Sequence, residues 1–191
     1  MYRYHSHYNN ILSQDLYQKF HYKNVMSIPK IEKIILNFGV KETILDKKKL
    51  IPVLTALELI SNQKYLLTKS RKSIIQFKIR KNHVVGCKVT LRKEKMFTFL
   101  DKFITLVLPR VRSFKGFPLN FDGMGNFSYT LTDLLSFYEL DSEYDKFYKL
   151  NPLNITIVTT AKNNIESKFL LSSFQMPFLE KDIKKNKKDK L

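Results

Sequence analysis

Cysteine and acidic side chains are scarce in this chain of 191 residues, and each scarcity narrows the class of protein that the chain can be. The single cysteine, Cys87, rules out an internal disulfide framework and a cysteine-rich zinc site. No apolar run approaches the roughly 20 residues that a membrane-spanning helix needs. Only 17 Asp and Glu residues oppose 34 Lys and Arg residues, so the formal net charge is +17. A charge of that sign and size indicates a polyanionic partner, either a nucleic acid or an anionic membrane surface.

The sequence also lacks recognisable catalytic and metal-binding motifs. The loop 122–126 contains G-x-G, but Ser128 stands where a dinucleotide fingerprint would have its third glycine. His5 and His7 could share a metal ion, but no third ligand is evident, so we interpret them as a mobile terminal pair. His83 has no carboxylate beside it to orient it as a general base. We therefore predict no catalytic residue, no metal site and no cofactor.

The most basic segment covers residues 64–95, which contain eleven Lys or Arg residues and one acid, Glu94. Within it, residues 87–92 alternate with the two-residue period of a β-strand. One face of this strand would carry Cys87, Val89 and Leu91, and the other face Lys88, Thr90 and Arg92. The polar face would suit a phosphate backbone, although outward lysines also protect solvated edge strands from aggregation. The excess of cations over the whole segment favours nucleic acid.

Hydrophobic periodicity predicts the other elements of a single domain that covers residues 1–179. We expect helices over 8–20, 96–107 and 163–170 and after Asp46, and strands over 31–38, 74–79 and 153–160. In the strand over 31–38, Lys33 and Asn37 share one face, whereas Glu32 points the other way with apolar residues. We predict an α+β fold, a mainly antiparallel sheet with helices on one face and an open basic face. The Lys-rich tail, 180–191, is expected to be disordered.

The segments between these elements differ in charge. Residues 80–86 form a cationic loop, in which Val84 and Val85 are expected at an exposed tip. Pro109 is expected to end the helix over 96–107, and residues 110–129 to be irregular. Residues 132–145 carry five acids and no Lys or Arg. They could ligate a cation but lack the spacing of a calcium-binding loop, so we interpret them as a solvated acidic ribbon or a docking site for a basic protein.

Seven segments of the chain, in the same order, resemble ribosomal protein number five of the large subunit. They are NVMSIPKIEKIILN at 24–37, QKYLLTKSRKS at 63–73, FKIR at 77–80, GCKVTLR at 86–92, PRVR at 109–112, FDGMGNFS at 121–128 and ITIVTTAK at 155–162. The resemblance covers residues 8–178, and the ordered set of motifs is highly specific. It implies a structural protein of the central protuberance, not an enzyme, that binds 5S rRNA and large-subunit rRNA beside neighbouring proteins, without a cofactor or a membrane.

The resemblance also implies three groups of contact residues. The open sheet face would include the rRNA-binding residues, which are Lys33, Asn37, Gln63, Thr68, Lys69, Arg71, Lys72, Lys88, Thr90 and Arg92. The loop that touches the elbow of peptidyl-site tRNA would contain Arg80, Lys81, Asn82, His83, Val84 and Val85. The contact with a protein of the small-subunit head would involve Arg110, Arg112, Asp141, Glu143 and Asp145.

Three features depart from the family pattern. Asn62 stands where the family usually has glycine, the tRNA loop reads Lys-Asn-His-Val-Val instead of the usual Gln-Gly-Tyr-Pro-Ile type, and the Lys-rich tail is an addition. The N-terminus does not resemble an import signal, and Lys outnumbers Arg 28 to 6, which suggests an AT-rich genome. We therefore expect an organelle-encoded protein of a mitochondrial ribosome, in preference to a bacterial or plastid one.

Two other classes of protein remain open. An RNA-processing or RNA-modifying enzyme could hold its substrate on the same basic face, but it would need a cofactor pocket or a reactive group, and the sequence shows none. A protein that binds anionic membranes would need an amphipathic helix with lysines along one side, whereas the charge here lies on predicted strands and loops. Co-sedimentation with large ribosomal subunits at high salt would distinguish a ribosomal protein from the enzyme.

Overall fold

A five-stranded antiparallel sheet lies at the centre of the computed structural model, which describes residues 3–41, 46–112 and 114–179. The strands are β1 (Ile31–Gly39), β2 (Leu66–Lys69), β3 (Val84–Leu91), β4 (Phe127–Leu131) and β5 (Leu153–Thr159). Their order across the sheet is β2-β3-β1-β5-β4, and all neighbouring strands are antiparallel. The predicted α+β fold is confirmed, whereas the predicted tail, 180–191, lies outside the described residues.

The helices form a second layer. They are α1 (Arg3–His7), α2 (Ser13–Phe20), α3 (Leu50–Ser61), α4 (Lys93–Lys102), α5 (Leu108–Arg110), α6 (Tyr138–Asp141), α7 (Tyr144–Phe147) and α8 (Asn164–Ser173). Two π-helical turns, Tyr8–Leu12 and Phe103–Val107, join α1 to α2 and α4 to α5, and single 3₁₀ turns occur at Val25–Ser27, Lys47–Lys49 and Leu134–Ser136. Since α3 contacts β3 and α4 contacts β1, the helices cover one face of the sheet.

Burial follows the alternation that the sequence predicts for the strands. The buried side chains of the three central strands include Ile34, Leu36, Phe38, Cys87, Val89, Leu91, Leu153, Ile155 and Ile157. They form one hydrophobic core with apolar side chains of the helices. Cys87 is fully buried, and loss of hydration raises the pKa of its thiol to about 12. This cysteine therefore acts as a small core side chain, as its place on the apolar face of a predicted strand indicates.

The N-terminal helical segment begins at Arg3, before the predicted start at residue 8. Tyr4 adds an apolar contact to the segment, because its buried ring packs edge-on against Phe174 with 5.6 Å between ring centroids. His5 packs edge-on against Phe97 at 5.3 Å. The interpretation of His5 and His7 as a mobile terminal pair is therefore wrong, since both lie on a packed helix.

The helix α3 starts and ends as its flanking residues predict. Asp46 accepts a hydrogen bond from the Lys48 N–H at 2.9 Å, which caps the 3₁₀ turn that leads into α3. Pro52 lies in the first turn, where its missing N–H costs nothing. The helix ends at Asn62, whose backbone is left-handed with φ 48° and ψ 35°. Glycine adopts this conformation most easily and asparagine is among the few other residues that do so, so the family's usual glycine and this Asn62 serve the same helix end.

Pro109 does not end the helix predicted over 96–107, because α5 contains it. The Leu108 N–H donates to the Phe103 carbonyl five residues earlier, so the helix widens into a π-helical turn just before the proline. Proline lacks an N–H and its ring crowds the carbonyl four residues before it. The wider turn places Pro109 in the first turn of a new short helix, where a proline is tolerated.

The strand predicted over 74–79 is wrong. Ile74 and Ile79 form only an isolated bridge, and the chain between them turns back on itself. The Lys78 N–H donates to the Ile75 carbonyl at 3.0 Å, and Lys78 has a left-handed φ of 54°. A turn at this position breaks the alternation that the sequence shows, and the edge of the sheet is formed by β2 instead.

Two features near the C-terminal half also differ from the prediction. β4 lies at the end of the region 110–129 that we expected to be irregular. At the start of α8, the Glu166 carboxylate accepts a hydrogen bond from the Lys162 N–H at 3.2 Å, but Asn163 makes no side-chain cap. The capping box suggested by Asn163 and Glu166 is therefore not observed, because the Glu166 carboxylate accepts from the residue before the cap position and Asn163 makes no side-chain cap. β5 has the predicted alternation, and its strand assignment is confirmed.

Candidate nucleic-acid interface

The sheet face that the helices leave open carries two rows of side chains. Residues paired across the strands form one row of Leu66, Lys88, Asn37, Asn154 and Thr130, and a second row of Thr90, Ile35, Thr156 and Ser128. All of these side chains are exposed or half-buried. Of the predicted rRNA-binding residues, Asn37, Lys88 and Thr90 lie in these rows, and Lys33 lies next to Val158 on the same face.

Hydrogen bonding divides this open face into two halves. On β4 and β5, the Thr130 hydroxyl donates to Asn154 Oδ1 at 2.9 Å, so the polar groups there are partly paired with each other. On β1 and β3, the side chains of Asn37 and Lys88 make no hydrogen bond or ion pair with any residue that the structure describes. An amide and an ammonium group are thus available to the phosphate, ribose and base oxygens of a ligand.

Glu32 points to the polar side of β1, not to the apolar side as predicted. The pairing of β1 with β5 shifts between Ile31 and Lys33, so Ile31 is buried and Glu32 is exposed. The Glu32 carboxylate lies 3.2 Å from Arg92 Nη1 and 3.5 Å from Lys33 Nζ. The hydrogen bond from Arg92, followed by the charge of Lys33, holds the pKa of Glu32 below its ordinary value. One acid therefore offsets part of the positive charge of two predicted rRNA-binding residues.

Gly86 allows the backbones of β3 and β1 to lie close together. A Cβ at this position would lie 2.1 Å from the Phe38 carbonyl oxygen of the neighbouring strand, so only glycine fits. Thr68 of β2 pairs opposite Gly86. Near the other end of β3, Gln63 Nε2 donates to the Thr90 carbonyl at 3.3 Å, so this predicted RNA ligand already has a partner in the protein.

The chain between β2 and β3, residues 70–83, forms an exposed arm that we call the basic loop. At its neck, the Ser70 N–H donates to the His83 carbonyl at 2.8 Å and the Asn82 N–H donates to the Ser70 carbonyl at 2.9 Å. At its tip, the side chains of Ile75 and Phe77 are 92% and 64% exposed. The loop has no acid, and its exposed cations are Arg71, Lys72, Lys78, Arg80 and Lys81.

Val84 and Val85 do not form the exposed tip that the sequence predicts. β3 begins at Val84, so both valines are half-buried at the start of a strand, and the Val85 carbonyl accepts a hydrogen bond from the Val40 N–H at 2.9 Å. The other residues of the predicted tRNA contact lie on the returning arm of the basic loop, where 80–82 are exposed and His83 is half-buried.

One of the acids in residues 132–145 is not solvated as we expected, whereas Asp141, Glu143 and Asp145 are exposed. Glu139 Oε1 lies 2.5 Å from Lys102 Nζ, and the two side chains are only 14% and 13% exposed. The same ammonium group donates to the Ile60 carbonyl at 2.8 Å. Lys102 and Glu139 therefore connect three helices, α3, α4 and α6, with one buried charge pair.

The predicted small-subunit contact residues are exposed, and two of them pair with each other. Arg110 Nη2 lies 2.8 Å from Asp141 Oδ2, and Glu143 pairs with Lys146 at 3.1 Å. The remaining two predicted contacts, Arg112 and Asp145, are exposed as well. The structure thus brings part of this set together, while the basic loop and the open face carry the other two predicted sets.

Sequence reasoning missed the contribution of β4 to the open face. Phe127, Tyr129 and Leu131 alternate with Ser128 and Thr130 over five residues, and this short alternation is the signal that could have found the strand.

Among residues 3–41, 46–112 and 114–179, no three His, Cys, Asp or Glu side chains are grouped so that they could hold a metal ion. In the same ranges, no helix has the length and apolar character needed to cross a membrane.

Comparisons with known proteins agree with the sequence resemblance. Residues 24–80 match the family model described as "Ribosomal protein L5", and residues 84–178 match the model that describes the C-terminus of the same ribosomal family. The large ribosomal subunit protein uL5 of Nitrosomonas eutropha is 50% identical over 173 residues, which cover 90% of this chain and 96% of that protein. The large ribosomal subunit protein uL5m of Reclinomonas americana is 50% identical over 172 residues, covering 90% and 94%.

A bacterial relative from another genus is equally similar. The uL5 protein of Neisseria meningitidis serogroup A is 51% identical over 172 residues, which cover 90% of this chain and 95% of that protein. The sheet has one face covered by helices and one open face that carries polar and basic side chains. With these similarities, the chain belongs to the ribosomal protein L5 family.

Proposed function

We propose that the protein is a structural constituent of the large ribosomal subunit that binds 5S rRNA in the central protuberance. The observation that carries the proposal is the pair of Asn37 and Lys88, adjacent on the open face and engaged by no described residue. Lysine neutralises phosphates, and the asparagine amide can donate to and accept from ribose and base edges. No reaction is part of this function, and large-subunit rRNA and neighbouring proteins of the protuberance are the other partners.

The arrangement of charge supports RNA as the ligand of this face. Lys88 lies among neutral hydroxyl and amide groups, Lys33 lies farther along the face beside Glu32, and the basic loop continues the positive charge beyond the β2 edge. A flat surface of this kind suits the wide, shallow minor groove of folded RNA, which displays the 2′-hydroxyls. It suits the deep, narrow major groove less well. Thr68, Lys69, Arg71 and Lys72 extend the rRNA contact from β2 into the neck of the basic loop, and Arg92 contributes from the far end of β3.

The basic loop is the proposed contact with the elbow of peptidyl-site tRNA. Its exposed cations flank the apolar tip of Ile75 and Phe77, so it offers phosphates a charge and an exposed base or sugar a hydrophobic contact. Residues 80–82 are accessible to tRNA on the returning arm. Val84 and Val85 are removed from the contact set because they belong to β3.

The surface around α5 to α7 is the proposed contact with a protein of the small-subunit head. Asp141, Glu143 and Asp145 lie in a region where the chain is acidic, and Arg110 and Arg112 border it in sequence. A basic protein would be attracted to these acids, whereas RNA would be repelled by them. Exposed pairs such as Arg110–Asp141 exchange partners at little cost, because each charge is already hydrated.

A mitochondrial ribosome is the proposed location. The support is the Lys-over-Arg bias of the composition and the similarity to uL5m of Reclinomonas americana. The sequence identity to the bacterial uL5 proteins is equally high, so the proposal of a mitochondrial location rests on the composition. Fluorescence of a tagged chain in its native cell, or mass spectrometry of purified mitochondrial ribosomes, tests the location directly.

A filter-binding titration with transcribed bacterial 5S rRNA tests the RNA-binding proposal. Removing both lysines of the open face, with Lys33→Ala and Lys88→Ala, should weaken binding and lower the salt dependence by roughly 1.4–1.8 log units of affinity per log unit of salt. The charge-matched control is Lys23→Ala with Lys115→Ala, two exposed lysines away from the strands. Equal losses in the two double variants would show that binding depends on net charge and not on the open face.

A further inference from the structure

A groove lies between the N-terminal helical segment, the connector 24–30 and the start of α4. Its volume is about 1140 Å³, and its walls include Tyr8, Val25, Met26, Ile28, Phe97 and Phe174. Sites that hold one small molecule usually measure roughly 300–1,000 Å³, so this groove is large enough for a nucleotide with part of its backbone. None of these six residues belongs to the contact sets described above.

The connector holds two apolar side chains outward at the rim of the groove. Met26 is 89% exposed and Val25 is 67% exposed, although they lie in an ordered 3₁₀ turn. The Asn24 side chain accepts a hydrogen bond from the Met26 N–H at 3.2 Å, and the Ser27 hydroxyl donates to the Asn24 carbonyl at 2.6 Å. The local structure therefore leaves these two apolar side chains exposed and accessible to a ligand. Apolar side chains in an ordered turn are more usually buried against the protein.

Charged side chains surround the mouth of the groove, with positive charge in slight excess. Lys30, Arg92 and Lys93 line it together with two acids, Glu94 and Glu32, and the Glu32 carboxylate is already paired with Arg92. Lys30 and Lys93 form no ion pair with any residue in the described ranges. An apolar floor with two available ammonium groups at its rim is complementary to a planar base on a charged backbone.

The groove is continuous with the open face. Glu32 and Arg92 line the groove, and the same Glu32 contacts Lys33, which lies on the open face beside β5. A single strand of RNA that crosses the face near Lys33 would reach the mouth of the groove without leaving the protein surface. This continuity and the charge favour RNA as the occupant over a peptide.

We propose that the groove binds one unstacked base of the RNA that the open face holds, with the flanking phosphates on Lys30 and Lys93. This inference rests on the proposed function, since it assigns a subsite to the same ligand. The base lies between Met26 and the half-buried ring of Tyr8, and its polar edge faces the mouth. Thioether and aromatic groups give a base the contact surface that it loses on leaving its stack. The groove therefore supplies recognition of a single nucleotide that the flat face does not.

The test uses the full chain and transcribed bacterial 5S rRNA with the double variant Val25→Ala, Met26→Ala. Binding should weaken about tenfold, the size of effect found when a stacking partner of one base is removed. The salt dependence should stay unchanged, because an uncharged contact releases no counterions. Chemical probing should show one base protected on its Watson–Crick edge by the original protein and left reactive with the variant. The matched control is Ile51→Ala, which shortens an apolar side chain, 60% exposed, on α3 and outside the lining of the groove.

The outcomes separate this inference from the proposed function. If Lys88→Ala weakens binding and the Val25, Met26 double variant binds like the original protein, the groove is not a base site and the open face remains the RNA surface. If the original protein does not bind the RNA, both proposals are wrong. A photo-crosslinking amino acid at Met26 should react with RNA in assembled large subunits, and a crosslink to protein alone would overturn the choice of ligand. Both altered positions are exposed, and an unchanged melting temperature confirms that the variant folds.

Discussion

Lys88 and Lys102 are both lysines on regular elements of the same layer structure, yet their surroundings are opposite. Lys88 is exposed on the open face and engaged by no described residue. Lys102 is 13% exposed and is held by the Glu139 carboxylate and the Ile60 carbonyl. In a chain with a net charge of +17, the two positions show that some cations stabilise the fold and others remain for a partner. The neighbourhood of a lysine therefore says more about its role than the total charge does.

The largest expected effect comes from breaking the buried pair. Lys102→Met should lower the free energy of unfolding by roughly 3 kcal/mol, because it leaves the Glu139 carboxylate buried without its cation. Urea unfolding measures the loss. RNA affinity of the folded variant should equal that of the original protein, since Lys102 does not reach the open face. Weaker RNA binding at unchanged stability would show that Lys102 also serves a ligand.

The second effect concerns binding and not stability. Lys88→Ala should weaken 5S rRNA binding by about five- to tenfold and lower the salt dependence by roughly 0.7–0.9 log units per log unit of salt. Its unfolding free energy should change by less than about 0.5 kcal/mol, as is usual for exposed side chains. Paired filter-binding and urea titrations measure both quantities. A loss of unfolding free energy comparable to that of Lys102→Met would show that Lys88 also stabilises the fold.

The smallest effect is expected for an exposed ion pair. Arg110 and Asp141 are 43% and 52% exposed, so Arg110→Ala should cost less than about 1 kcal/mol in unfolding free energy. The expected loss should shrink further in 0.5 M salt, because exposed charges are screened. Thermal unfolding at two salt concentrations provides the measurement. A loss as large as that of the buried pair, independent of salt, would mean that Arg110 is part of the helix framework.

The central sheet could be predicted because its evidence is local. In residues 87–91 of β3 and 153–157 of β5, apolar residues alternate with polar ones, and this alternation directly specifies which side chains face the core. The same pattern predicted that Lys88, a cation, and Thr90 lie on the same polar face of β3. Residues 74–79 show the limit of that reasoning, since a turn at Lys78 interrupts a segment whose letters still alternate.

The charge pairing could not be predicted from local pattern. Lys102 and Glu139 are 37 residues apart, and nothing in either neighbourhood indicates that α4 and α6 bring them together. The same holds for Glu32, whose direction depends on a shift in the pairing of β1 with β5. The sequence-based prediction therefore overestimated the number of unpaired cations at the Arg92 end of the open face. It also missed that Glu139, one of the acids of residues 132–145, is buried.

The paired neck of the basic loop has a consequence for how the two contact surfaces are joined. Hydrogen bonds between Ser70, Asn82 and His83 continue the pairing of β2 and β3 outward, so both arms of the loop leave the sheet from backbone positions that are paired with each other. The exposed tip at Ile75 and Phe77 and the open face are thus joined through a single antiparallel strand pair, and a ligand at either surface contacts the same two strands or their direct continuation.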